Sequence, residues 1–154
     1  MKKLLLIVLL LLPSFSHADI FAFVGSPLSI ELLDRSCADF IEQSEDSEFE
    51  TICMTRVFNL KYSVGEVLYG SLSDQSIEFI GFYHSWGMPF YTTFEPALII
   101  LETYKEDLLL VRIDNLVTKN GQWWVCEEVP EDEFADCTIG RLANEIIAQE
   151  INGP

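Results

Sequence analysis

Residues Val57–Tyr69, with the sequence VFNLKYSVGEVLY, are the stretch that decides the fold. Apolar and polar side chains alternate from Phe58 to Val64, which predicts a half-buried β-strand. Gly65 and Glu66 then shift the phase of this alternation, and a glycine at such a break predicts a β-bulge. A long strand with a bulge in its middle suits a small barrel, because one strand can then be shared between two sides.

Further strands are predicted on both sides of this stretch. Residues 19–33 predict two short strands, or one strand with a break at Gly25-Ser26-Pro27. Asn120-Gly121 suits a two-residue type I′ turn and therefore predicts a hairpin. The other predicted strands are Ser76–Tyr83, which forms a hairpin with the long strand, then Ala97–Glu102 and Leu108–Ile113.

The end of the chain predicts an amphipathic helix over 138–151, because its apolar side chains recur on one stripe. Six or seven strands and one C-terminal helix predict a mainly β fold, a small closed or partly open β-barrel of about six strands. A chain of 154 residues is long enough for one domain with its own core, here 19–154.

Composition excludes several classes of protein. The chain has 25 acidic and 9 basic side chains, a formal net charge of -16, so nucleic acid and anionic membranes are poor partners. Its 11 Phe, 5 Tyr and 3 Trp supply a core that a disordered chain lacks.

Residues 1–18 predict an export signal with cleavage after Ala18 and a periplasmic or secreted product. Lys2 and Lys3 form a basic start, Leu4–Leu12 is a nine-residue apolar run, and small residues precede the cleavage point. Nine apolar residues are too few to span a bilayer, which takes about 20. No membrane association is expected after cleavage.

Export gives the cysteines a structural interpretation. Cys37, Cys53, Cys126 and Cys137 are even in number and are predicted to form two disulfides in an oxidising compartment. Three pairings are possible, of which the local one joins the first two and the last two. No C-x-x-C motif is present, so neither a redox-active pair nor a zinc knuckle is indicated.

The pattern F-x-L-x-Y-x-V-x-E-V-L-x-G from Phe58 to Gly70, with Ala22–Gly25 before it, resembles exported bacterial proteins of the netrin/tissue-inhibitor-of-metalloproteinase-like class. The stretch from Ile77 to Phe90 is similar to segments of small exported bacterial proteins. The resemblance implies an OB-like barrel with disulfides and a packed helix. The inhibitors of that class begin with Cys-x-Cys, whereas the expected mature start here is Asp19-Ile20-Phe21, so inhibition by that route is not supported.

The candidate binding site is the loop after Ser76–Tyr83. Tyr83, His84, Trp86 and Phe90 are the predicted ligand- or partner-binding residues, because Gly87 and Pro89 shape a turn there. These aromatic side chains could equally belong to the core. His84 is the only histidine of 19–154, and a hydrolase using it with acidic residues is an alternative, although no G-x-S-x-G motif occurs.

No cofactor and no catalytic residue are predicted, since one histidine and disulfide-bonded cysteines cannot build a common zinc or copper site. The acidic loop 127–136 is a weak candidate for calcium, through Glu131, Asp132, Glu133 and Asp136, but lacks the spacing of a calcium-binding loop. The first hypothesis is therefore a non-enzymatic exported binding module that contacts a protein or an envelope ligand. A calcium-stabilised acidic protein is the other alternative.

Overall fold

The computed structural model describes residues 19–40, 55–128 and 139–153. This part of the chain is mainly β-structure with one C-terminal helix, as the sequence predicts. The strands are β1 (Ile20–Gly25), β2 (Pro27–Leu32), β3 (Arg56–Ser63), β4 (Val67–Tyr69), β5 (Ser76–Tyr83), β6 (Ala97–Tyr104), β7 (Asp107–Lys119), β8 (Gln122–Glu128) and β9 (Ile139–Leu142). The helix α1 spans Ala143–Asn152, and short 3₁₀ helices span Cys37–Phe40 and Phe90–Thr93.

The strands form one hydrogen-bonded sheet whose order is β2-β3-β5-β7-β6-β1-β4, with β8 added beside β7 and β9 beside β8. The path from β2 to β4 does not close on itself in this order. Neighbouring strands are antiparallel except β5 and β7, which run parallel with Ile80 opposite Leu109. The connection between these two parallel strands contains the loop 84–96 and β6.

Two pairs of consecutive strands, β1 with β2 and β3 with β4, are each separated by a short break. Only Ser26 separates β1 from β2, and residues 64–66 separate β3 from β4, where the sequence predicts a bulge. The backbone ladder continues across the break, because Val24 N donates to Glu66 O at 2.8 Å, Gly65 N donates to Val24 O at 2.8 Å and Ser63 N donates to Ser26 O at 2.9 Å. Both strands thus bend at the same place while they stay paired.

One face of the sheet encloses an inner core. Alternate residues of β3 turn to this side, and Phe58, Leu60 and Tyr62 are fully buried there. The remaining buried members of this cluster come from β1, β5, β6 and the second 3₁₀ helix: Phe23, Phe79, Tyr91, Ala97, Ile99 and Leu101. The predicted alternation is confirmed by this arrangement.

The opposite side of β1 and β6 is covered by α1. Ala143, Ile146 and Ile147 pack with Ala22, Val24, Leu98 and Ile100 in a second buried cluster. Since β6 is covered on both faces, five consecutive residues from Ala97 to Leu101 are apolar and fully buried.

The opposite side of β3, β5 and β7 is covered by the segment after β2. Cys37 and Phe40, in the first 3₁₀ helix, form a third cluster with Val57, Ile80 and Leu109. Phe40 also meets Phe82 edge to face at a centroid distance of 5.2 Å.

The structure corrects two predicted boundaries. Helix α1 begins at Ala143 rather than at 138, because residues 139–142 pair with β8 and Gly140 lacks the helix propensity of its neighbours. The predicted strand Leu108–Ile113 and the first strand of the later hairpin form a single strand of 13 residues, β7. The Asn120-Gly121 turn has positive φ at both positions, 55° and 74°, as a type I′ turn requires.

Two tyrosine hydroxyls lie inside the sheet without a hydrogen-bond partner among the described residues, those of Tyr62 and Tyr91. Burial raises the pKa of Tyr62 to about 12, because it disfavours the charged phenolate. Burial also raises the pKa of Tyr91, and the nearby Tyr62 and Tyr83 add to the effect.

We expect Tyr62→Phe to leave the free energy of unfolding at pH 7 unchanged or to raise it by about 1 kcal/mol, since the hydroxyl is buried without a partner. Its folded pKa lies above the unfolded value, so the wild-type protein loses stability as pH rises from the unfolded towards the folded pKa. The variant should lose less stability in that alkaline range. Urea unfolding at pH 7, 9 and 11 measures both effects.

Tyr69→Phe, which removes a hydroxyl from an exposed side chain, controls for the chemical change at pH 7. A loss of more than about 2 kcal/mol in Tyr62→Phe at pH 7 would contradict the interpretation, because it would mean that the hydroxyl makes a stabilising hydrogen bond.

We expect Gly25→Ala to destabilise the fold by about 2 kcal/mol or more. A Cβ at this position would lie 2.4 Å from the backbone oxygen of Ser63, so the paired strands must move apart at their common bend. Gly121→Ala has open space around it and should cost only about 1 kcal/mol, from its positive φ. Equal losses in urea unfolding of the two variants would refute the close approach at Gly25.

Candidate functional site

Residues 84–96 connect β5 to β6, and their two halves behave differently. In the second half, Tyr91 is buried in the inner core and Phe94 packs against it. The 3₁₀ helix Phe90–Thr93 contacts β2 and β7. This half therefore packs against the sheet and anchors the half that precedes it.

The segment 86–90 projects three large apolar side chains into solvent. Trp86 is 95% exposed, Phe90 64% and Met88 56%. We call these three residues the loop surface. No other large apolar side chain in the described residues is as exposed as Trp86.

One side of the Phe90 ring is exposed to solvent, and the other side contacts three aromatic rings. Its ring lies 5.7 Å from that of Phe94, 5.9 Å from that of Tyr91 and 6.4 Å from that of Tyr83, measured between centroids. Edge-to-face and tilted contacts of this kind are favourable by about 0.5–1.5 kcal/mol each. The aromatic group thus fixes one end of the loop surface on the core.

Hydrogen bonds from the start of β3 and from the residue before it hold the beginning of the loop. Arg56 Nη1 donates to Gly87 O at 3.0 Å, and Thr55 Oγ1 lies 2.8 Å from His84 Nδ1. Gly87 has a φ of 104°, which favours glycine and sets the turn between Trp86 and Met88. These contacts give Trp86 a defined backbone position although its side chain is exposed.

A small open cavity of about 100 Å³ lies at the base of the loop. Its lining consists of Arg56, His84, Ser85 and Trp86. The cavity combines a guanidinium, an imidazole, a hydroxyl and an indole, all of which can donate hydrogen bonds. Such a set favours an anionic or hydrogen-bond-accepting group next to an apolar one.

A second cavity, of about 170 Å³, lies between the β7–β8 turn and the start of α1. Trp123 Nε1 donates to Glu66 Oε2 at 2.7 Å in its wall, so the indole N–H already has a hydrogen-bond partner.

The structure places two of the four predicted binding residues, Tyr83 and Phe90, in one aromatic group, and the other two, His84 and Trp86, in the lining of one cavity. Sequence reasoning missed Met88 in the loop surface and Arg56 in the cavity. Arg56 could have been found from the predicted hairpin, because the register of β3 with β5 places it opposite Tyr83.

The alternative roles stay predictions. The described hydrogen-bond partner of His84 is Thr55, and no carboxylate within the described ranges bonds to its ring. Glu131, Asp132, Glu133 and Asp136 lie outside the described residues, as do Cys53 and Cys137. Within the described ranges, no cluster of three potential metal ligands occurs.

Comparisons with protein-family models, with curated proteins and with solved structures found no match for this chain. No helix within 19–40, 55–128 or 139–153 is long and apolar enough to cross a membrane. A functional interpretation therefore depends on the geometry of the loop and of the sheet that supports it.

Proposed function

We propose that this chain is a non-enzymatic exported binding module that contacts a partner protein through the loop surface. The observation that carries the proposal is the 95% exposure of Trp86. Exposed apolar area costs about 25 cal/mol per Å² relative to burial, so a tryptophan held in water gains free energy when a partner covers it. Tryptophan is also among the residues that contribute most to protein interfaces.

The rigidity of the loop supports the proposal. Phe90 contacts the buried ring of Tyr91, and hydrogen bonds from Arg56 and Thr55 hold the Gly87 backbone and the His84 side chain on either side of Trp86. A loop that is already ordered loses little conformational entropy when it binds, and this preorganisation improves affinity. A loop without these contacts would have to be ordered by its partner.

The scaffold that we propose is an OB-like barrel. If β1 and β2 are taken as one bent strand, and β3 and β4 as another, five strands follow one another in a ring, because the second bent strand, β5, β7 and β6 lead back to β1. The backbone bonds across the breaks at Ser26 and Gly65 favour this interpretation. Proteins with barrels of this type commonly bind ligands with their loops.

The cellular setting is part of the same proposal. Residues 1–18 have the pattern of an export signal, and the four cysteines suit an oxidising compartment. Neither Cys37 nor Cys126 is a free thiol in the described residues. We propose that the four cysteines form two disulfides, and that the partner is a protein or ligand of the envelope.

We expect Trp86→Ala to weaken partner binding at least tenfold without loss of fold. The side chain is almost fully exposed, so its removal should change the free energy of unfolding by less than about 0.5 kcal/mol. The measurement is capture of proteins from an envelope extract of the source organism by oxidised, tagged residues 19–154, followed by titration of the captured protein against both forms.

Val111→Ala is the matched control, since Val111 is an exposed apolar residue of β7 outside the loop surface. The proposal requires a partner whose binding falls in Trp86→Ala and Phe90→Ala but not in the control. Equal binding by all four forms would place the interface elsewhere. Hydrolysis of an envelope substrate that disappeared in His84→Ala would replace the binding module with the enzyme alternative.

A further inference from the structure

We propose that the cavity beside Trp86 receives the carboxylate of an aspartate or glutamate side chain of the partner protein. The proposal rests on the proposed function, because it assigns the partner's chemistry at the same loop. Trp86, Met88 and Phe90 would then cover apolar neighbours of that acidic residue.

The first argument is the state of Arg56. Three of the other basic side chains are paired with acids: Arg35 with Asp107, Lys61 with Glu78, and Arg112 with Asp114 and Glu150. Arg56, like Lys105 and Lys119, forms no ion pair within the described ranges, and unlike them it lines the cavity beside Trp86. Its guanidinium donates one hydrogen bond, to Gly87 O, and lies 5.5 Å from the ring centroid of Phe58, which leaves most of its five N–H donors for a ligand.

The second argument is the orientation of the donors. Gly87 O fixes Arg56 from one side, and Thr55 Oγ1 contacts His84 at Nδ1, so Nε2 of His84 is not used by this contact. Both side chains line the same cavity with Ser85. A guanidinium binds a carboxylate with two parallel hydrogen bonds, and such charged pairs are stronger than neutral ones.

The third argument is the combination of polar donors with an apolar wall. The cavity is open and has a volume of about 100 Å³, which is enough for a carboxylate group. The indole of Trp86 forms one side of the cavity, so an apolar neighbour of the bound acid would meet the loop surface.

The test is NMR titration of ¹⁵N-labelled residues 19–154 with three peptides. Acetyl-Leu-Glu-Leu-amide presents a side-chain carboxylate, acetyl-Leu-Gln-Leu-amide presents none, and acetyl-Leu-Gln-Leu with a free C-terminus presents a terminal carboxylate. We expect the first peptide to shift the indole N–H signal of Trp86 with a dissociation constant in the millimolar range, at least fivefold below that of the second. Trp86→Phe identifies the signal among the three tryptophans.

Arg56→Gln should abolish the difference between the first two peptides, and Arg56→Lys should retain part of it. Lys61→Gln is the matched control, because it removes the same charge from a side chain that pairs with Glu78 outside the cavity. Equal binding of the first two peptides, or a preference that survives Arg56→Gln, would overturn the proposal. Tighter binding of the free C-terminus than of the glutamate side chain would overturn the assignment to a side chain.

The two proposals fail in different ways. If Trp86→Ala abolishes binding of the captured partner but Arg56→Gln does not, the binding module stands and the carboxylate assignment falls. If Trp86→Ala leaves partner binding intact, the loop surface is not the interface, and the peptide titration still decides separately whether the cavity binds a carboxylate.

Discussion

The backbone hydrogen bonds between Val24 and residues 65 and 66 are the constraint on which the rest of the structure depends. At this point both long strands bend and stay paired with each other. On one side of the bend β1 pairs with β4 and β6, and on the other side β2 pairs with β3. The close approach requires glycine, because a side chain at Gly25 would meet the backbone of Ser63. Within the described residues β2 has β3 as its one strand neighbour, and the 3₁₀ helix Phe90–Thr93 contacts it.

The position of the loop surface follows from that arrangement. The loop must return from the end of β5 to the start of β6, and it buries Tyr91 in the inner core on the way. In the short segment before Tyr91, the side chains of Trp86 and Met88 remain in solvent. The register of β3 with β5 then places Arg56 at the base of the same segment. Packing of the core and exposure of the site therefore have a common cause.

The sequence predicted the parts that depend on local pattern. Alternation in β3, the breaks near Ser26 and Gly65 and the Asn120-Gly121 turn are set by neighbouring residues, and all appear in the structure. The predicted start of α1 was wrong, because residues 139–142 form backbone hydrogen bonds with β8 instead of a first helical turn. The sequence could not predict that Tyr91 is buried and that its neighbour Phe90 is exposed. Both residues are aromatic, and only the tertiary contacts distinguish them.

The overall charge and the local charge act in opposite directions at this site. A chain of net charge -16 repels an acidic partner at long range, whereas the guanidinium of Arg56, in the binding mode that we propose, attracts a carboxylate at contact. Salt screens the long-range repulsion beyond about 10 Å at 0.1 M more than it screens a pair covered by apolar side chains. In the binding mode that we propose, the indole of Trp86 contributes twice, through its own burial and through the exclusion of water from the ion pair beside it. An exposed tryptophan next to an arginine without an acidic partner is more selective in that mode than either residue alone, because an apolar partner without an acid would bury the charge of the guanidinium without a counter-charge.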